Sequence, residues 1–455
     1  MSLGNWGRFL LKEVPDLAED AAAAVARAFE NVAPTAATKK AAISAAKAQV
    51  KPKAPAVIKA RSGTSKANAQ DVLAEAGSKG KRESFTDYRR RAAPRELFDK
   101  SRLEQVPRVP QAQMPRIQPP RGPSPEMVRT LENPDVQRGV RAAVERGIEG
   151  GGLRWYNTEP TLERMRAMMP DDEATGRYAR LMDLVAATSP RSKVPDNIRT
   201  ASYYNYLAEQ GLPIADKPAA GYGSIAQNLH RDNARRLDEI GGWDVFKNPK
   251  PASFSTNLQG NQRNVAIDTH NMRLPAILSG DPEMLETNIS ELADSPRLAL
   301  ETLMRQYPGL PKRVAKEAVQ PKGAKGASVN YKPRDWVKAG YIPMEDAVAD
   351  PGLWRTKPKP NEYGHYEAWQ QQQAADLGIS PAQYQASMWL GAGDTTGLGS
   401  PPEAFLDTLE ARVNYTADRL GVDPEVILEQ FLKGDIPLLK HGGRVKKARA
   451  RGPGC

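Results

Sequence analysis

The chain has one cysteine, Cys455 at its last position, and four histidines, His230, His270, His365 and His441, in 455 residues. A single thiol excludes an internal disulfide, a cysteine-based zinc site and a four-cysteine iron–sulfur cluster. The histidines are scattered without ligand spacing, so no structural metal is expected. No apolar run approaches the roughly 18 residues that a membrane span needs, and the start of the chain shows no signal-peptide pattern, so neither a span nor secretion by that route is expected. A Gly-x-x-x-x-Gly-Lys-Thr phosphate loop is also missing, and the residues call for no cofactor.

What is present is uneven. Only 40% of the residues are apolar, and 38 prolines and 36 glycines interrupt them, so part of the chain is expected to lie outside any packed core. The net charge of +11 is concentrated: residues 31–125 hold 20 Lys and Arg against 7 Asp and Glu, and residues 440–455 hold 6 against none. The remainder is mildly acidic. Basic arms gain affinity for polyanions by releasing counterions, so nucleic acid is the natural partner, with an anionic membrane surface second.

Within residues 1–30, Trp6, Phe9, Leu10, Val14, Leu17 and Ala21 recur at helical spacing and predict an amphipathic helix. Residues 31–125, rich in Ala, Lys, Pro and Ser, read as a disordered basic arm that closes in a proline-stiffened spacer. From residue 126 the periodicity is helical over 133–147, 160–169, 173–187, 196–210, 224–240, 269–279 and 296–306. No stretch alternates convincingly as a strand, so the expected class is all-α. Residues 126–310 are assigned to one helical domain, 311–365 to a linker, 366–438 to a smaller helical module and 439–455 to a basic tail. In the module, Ser380 and Asp423 stand as N-caps before prolines, which sharpens the helix starts.

Three segments carry chemistry. Val265-Ala266-Ile267-Asp268-Thr269-His270-Asn271-Met272-Arg273 brings an apolar run to an aspartate at a helix start. Lys250 lies eighteen positions before Asp268, with Asn257 between them, and Leu184 to Ser192 ends an apolar helix in Thr188-Ser189-Pro190-Arg191. In this order the segments resemble the helix-hairpin-helix superfamily of DNA glycosylases, over roughly residues 175–280. The resemblance implies a lysine nucleophile at Lys250, which attacks the sugar C1′ as the base departs, and an ionised Asp268 that stabilises the developing positive charge. It further implies DNA contacts from Ser189, Arg191, Lys193, Asn257, Thr269, His270 and Arg273, and Trp155, Tyr156 or Tyr203 as a stacking surface for an extruded base. Before its lysine the family has a glycine hairpin, where this chain has Trp243-Asp244-Val245-Phe246-Lys247-Asn248-Pro249.

Each residue also has a quieter reading. Asp268 would serve as an N-cap, Lys250 as a surface lysine at a helix start, and Trp155 and Tyr156 as core anchors. The basic end, Lys440 to Lys447, resembles the termini of bacteriophage particle proteins, and the domain order resembles that of uncharacterised phage proteins. Two functions therefore stand open: a DNA-binding protein with glycosylase or lyase chemistry, acting in a host cytoplasm, or a non-enzymatic virion-associated or ejected protein that binds DNA through its arms and contacts other virion proteins.

Overall fold

A computed structural model describes residues 85–106, 122–190, 192–214, 228–243, 247–322, 326–397 and 403–438. The predicted helix at 1–30, most of the arm, the spacer at 107–121 and the basic tail lie outside these residues. Helix makes up 64% of what is described and strand 5%, so the protein is mostly helical, and none of its described helices is long and apolar enough to cross a membrane.

Prolines start many of the helices, as their fixed φ and missing N–H allow at a first turn. The chain runs through α1 (Phe85–Arg91), α2 (Pro125–Glu132), α3 (Pro134–Glu149), α4 (Glu159–Arg166), α5 (Asp171–Thr188), α6 (Val194–Glu209), α7 (Asn228–Ile240), α8 (Pro249–Leu258) and α9 (Thr269–Ser279). After these come β1 (Ile289–Ala293), α10 (Pro296–Gln306), α11 (Lys312–Ala318), β2 (Val319–Lys322), β3 (Gly326–Tyr331), α12 (Pro333–Lys338) and α13 (Met344–Ala349). The last four helices are α14 (Tyr363–Asp376), α15 (Pro381–Ala392), α16 (Phe405–Leu420) and α17 (Pro424–Leu432). Ser380 and Asp423 cap α15 and α17 as their sequence context predicts, accepting from Gln383 N and Glu425 N.

Four expectations need correction. The strands form an antiparallel sheet in the order β1-β3-β2, with Glu291 opposite Val329 and Val329 opposite Val319, so the fold is not purely helical. In β3, Ala327, Val329 and Tyr331 are buried while Ser328 and Asn330 are half-buried, a period of two too short to stand out among flanking helices. Residues 311–365 are also not a linker. They carry two of its three strands, β2 and β3, and much of a core in which Tyr307, Tyr331 and Trp336 meet at ring separations of 6.1 to 6.5 Å and Trp354 is wholly buried. A few large aromatics supply the burial that many small residues would otherwise provide, which is why a low density of apolar residues misled the reading.

Nor is 366–438 a separate module. One core cluster joins Trp155, Tyr178, Leu181, Tyr204 and Leu258 to Ala386, Leu409, Tyr415 and Phe431, and another joins Val140 and Leu274 to Tyr384 and Met388. The end of the basic arm enters the same body. Phe85 and Tyr88 of α1 set their rings edge-on to Tyr415 at 5.5 and 5.2 Å, and Arg412 stacks over Phe85 at 3.7 Å.

Candidate functional site

A cleft of about 1020 Å³ opens at the starts of α6, α8, α9 and α16. Its lining includes Phe85 and Thr86 from α1, Val194, Pro195 and Asn197 from α6, Lys250 from α8, Thr269 and His270 from α9, and Phe405 and Thr408 from α16. The starts of α6, α8, α9 and α16 carry the positive ends of their dipoles, which favours an anion in the cleft.

The side chains add to that bias. Arg89, Arg90, Lys193, Lys250 and Arg273 line the cleft, against the carboxylates Asp268 and Glu403. Glu403 is paired with Arg89, and Arg90 pairs with Asp87 at 3.6 Å, whereas among the described residues Lys193 and Lys250 make no ion pair. A local excess of positive charge thus sits in a body whose overall balance is acidic. Aromatic rings form the floor. Trp155 contacts Tyr156 at 4.8 Å and Trp389 at 5.1 Å, both edge-on, and Phe254 packs 5.8 Å from Tyr156.

The extended segment that delivers Asp268 is held from α14. Glu367 accepts from Val265 N at 3.0 Å, and the Tyr363 hydroxyl donates to Val265 O at 2.8 Å. Asp268 then caps α9: its Oδ1 accepts from Asn271 N at 2.8 Å, and Asn271 Oδ1 accepts from Asp268 N at 3.3 Å. The capping reading is therefore realised in the same residue that lines the cleft. Asn271 is itself fixed by Gln385, whose Nε2 donates to Asn271 Oδ1 at 2.8 Å while its Oε1 accepts from the Tyr156 hydroxyl at 2.6 Å. Burial pushes the Tyr156 hydroxyl well above its ordinary pKa, and the Asp268 charge adds to that, so Tyr156 stays a donor.

His270 is oriented from the turn at Gly393–Thr396. Its Nδ1 lies 3.0 Å from Thr396 Oγ1, whose proton goes to Gly393 O at 3.2 Å. That network assigns the ring proton to Nδ1 and leaves Nε2 with the lone pair in the neutral imidazole. Burial lowers the His270 pKa; Asp268 opposes the shift, and Arg273 and Lys250 reinforce it. Arg273 donates to Thr396 O at 3.2 Å, so one residue anchors both side chains.

The fold brings Lys250, Asp268, Ser189, Lys193, Thr269, His270, Arg273, Trp155 and Tyr156 to this one cleft. Arg191 lies outside the described residues. Two of the predicted contacts do not reach it. Asn257 is wholly buried on α8 and cannot touch DNA directly; its carboxamide stands beside the Tyr156 hydroxyl. Tyr203 is buried against Tyr204 at a ring separation of 5.7 Å and is no part of the cleft. Trp155 and Tyr156 are 1% and 2% exposed, so they serve as floor and core anchor at once, and the more accessible stacking surfaces are Phe254 and Trp389.

Sequence reasoning missed Phe85, Arg89 and Arg90 because the surrounding composition marks an arm. The available signal was local: Phe85 and Tyr88 at helical spacing, followed by Leu97, Phe98 and Leu103, are large apolar residues in a segment otherwise poor in them. Gln385, Trp389, Phe405 and Thr408 carried no such signal, since only chain folding brings α15 and α16 to the cleft. Among the described residues no group of His, Cys, Asp and Glu could hold a metal ion. No protein-family profile, no curated protein and no solved structure matches this chain.

Proposed function

We propose that the cleft binds DNA and receives an extruded nucleotide, with Lys250 and Asp268 placed for glycosylase or lyase chemistry. The observation that carries this reading is the convergence of Lys250 and Asp268, from two different helix starts, on one cationic cleft with an aromatic floor. Its volume is at the upper end of the ~300–1,000 Å³ typical of small-molecule sites, room for a nucleotide with its flanking phosphates.

In this reading the Lys250 amine, in its neutral form, forms a bond to C1′ as the C1′–N bond breaks and its electron pair leaves with the base. The Asp268 carboxylate, held by the cap on α9, faces the positive charge that develops on the sugar. Loss of a proton from the nitrogen and opening of the ring give an imine, which borohydride reduces to a stable amine. Lys193, Arg273 and the first turns of α6 and α9 offer phosphate contacts.

Borohydride trapping on duplexes carrying an abasic site or a deaminated or oxidised base tests the chemistry. A covalent adduct is expected, lost in Lys250→Ala and in Asp268→Asn. The second substitution keeps a capping side chain, so its melting temperature should stay close to that of the wild type. No adduct on any of these duplexes removes the enzymatic reading. The cap formed by Asp268 favours a second one, in which that carboxylate is purely structural and the protein holds DNA without reacting with it, as a virion-associated protein would. Retention of DNA binding without an adduct is its expected result.

A further inference from the structure

Gln385 is 2% exposed, yet it lines the cleft among Trp155, Phe254 and Trp389. Its carboxamide cannot turn freely. Tyr156 donates to Oε1, and Nε2 donates to Asn271 Oδ1, which is committed in turn to the cap of α9. Exchanging the amide oxygen and nitrogen would set Oε1 against Asn271 Oδ1, acceptor against acceptor, so the Asn271 end fixes the orientation. Each end of the carboxamide keeps one unused position: the second hydrogen of Nε2 and the second lone pair of Oε1. A buried amide with a donor and an acceptor side by side complements a planar ligand edge that offers an acceptor beside a donor.

We infer that Gln385 is the group that reads the extruded base, through paired hydrogen bonds to a nucleobase edge carrying an adjacent donor and acceptor. This rests on the proposal that the cleft receives an extruded nucleotide. The edge-to-amide pairing follows the geometry by which Gln and Asn recognise adenine. The half-buried rings of Phe254 and Trp389 supply apolar surface in the same cleft for the base to stack on. Phosphate contacts by Lys193 and Arg273 would hold any nucleotide; Gln385 would distinguish a base from its absence.

The test uses the full chain and two fluorescent duplexes, one with a single bulged adenine and one with a tetrahydrofuran abasic analogue at the same position. The wild type is expected to bind the bulged adenine about tenfold or more tightly than the analogue, the discrimination one bidentate pair supplies. Gln385→Glu keeps the side-chain volume and removes the donor, so this ratio should fall toward one. The added negative charge lowers affinity for both duplexes alike, which is why the ratio is read. If Gln385→Glu does not fold, Tyr156→Phe carries the test: it frees one end of the carboxamide and should reduce the ratio by several fold. A wild-type ratio near one, or a ratio unchanged in the variant that folds, overturns the assignment. Absence of binding to either duplex instead overturns the DNA-binding proposal beneath it.

Discussion

Asp183 on α5 faces α8, where Ser255 Oγ and Gln259 Nε2, the latter at 3.4 Å, both donate to its Oδ1. Burial pushes this carboxyl up to about 6, against the opposing effects of Ser255 and Arg180. The folded pKa lies above the ordinary value of 3.8, so the folded state binds the extra proton between them. Its contribution to stability is present in full below pH 3.8 and is lost as pH rises through about 6. Asp183→Asn keeps the acceptor and removes the buried charge. It is expected to raise stability at pH 8 by on the order of 2 kcal/mol, with the gain vanishing below about pH 4. Urea titrations at both pH values check this; an equal gain at both would assign the effect to packing. At this scale the sequence was most informative about Asp268, where an aspartate before Thr269-His270-Asn271 fixed the cap. It could not show that Asn257 and Tyr203 are buried, because neither residue type nor spacing encodes which side of a helix the rest of the chain will cover.

Helices α3 and α15 cross so closely that no side chain fits between their backbones. A Cβ on Gly147 would lie 1.8 Å from Ser387 O, and one on Gly391 would lie 1.7 Å from Ala143 O. Gly147→Ala should therefore force the helices apart and cost on the order of 3 kcal/mol or prevent folding. Gly176 makes the contrasting case. It lies exposed within α5 with open space around its Cβ position, and Gly176→Ala should add up to about 1 kcal/mol by helix propensity alone. Thermal or denaturant melts of the two variants, expected to shift in opposite directions, decide the matter. Helix positions were legible because an apolar stripe, a cap and a first-turn proline are local signals, as α3, α5, α6, α15 and α17 show. The sheet was not. Pairing between β1 and β3 joins residues some forty positions apart, and β1 leaves Leu292 77% exposed, so it carries no buried alternation to recognise.

The described residues belong to one compact unit, and this has a direct consequence for dissection. A fragment of residues 126–310 would lose Leu409, Tyr415, Phe431 and Leu432, which share one core cluster with Tyr178, Leu181 and Tyr204, together with the α15 face that seals α3. Expressed alone it is expected to show neither a cooperative melt nor a dispersed amide spectrum. A well-folded fragment would show that the C-terminal helices are an addition to a complete core. The same interleaving explains the cleft: one wall comes from α1, the floor from residues near 155 and 389, and Lys250 and Asp268 from the starts of α8 and α9.

Composition and local pattern alone settled the concentration of basic charge outside an acidic body, the helix-rich class and the starts of most helices, since charge, caps and periodicity are properties of contiguous residues. Which of those helices share a core, that 311–365 folds, and that Gln385, Arg89 and Phe405 stand with Lys250 and Asp268 were decided only by tertiary packing. Burial depends on what the distant chain covers, and contacts between positions hundreds of residues apart leave no trace in local spacing.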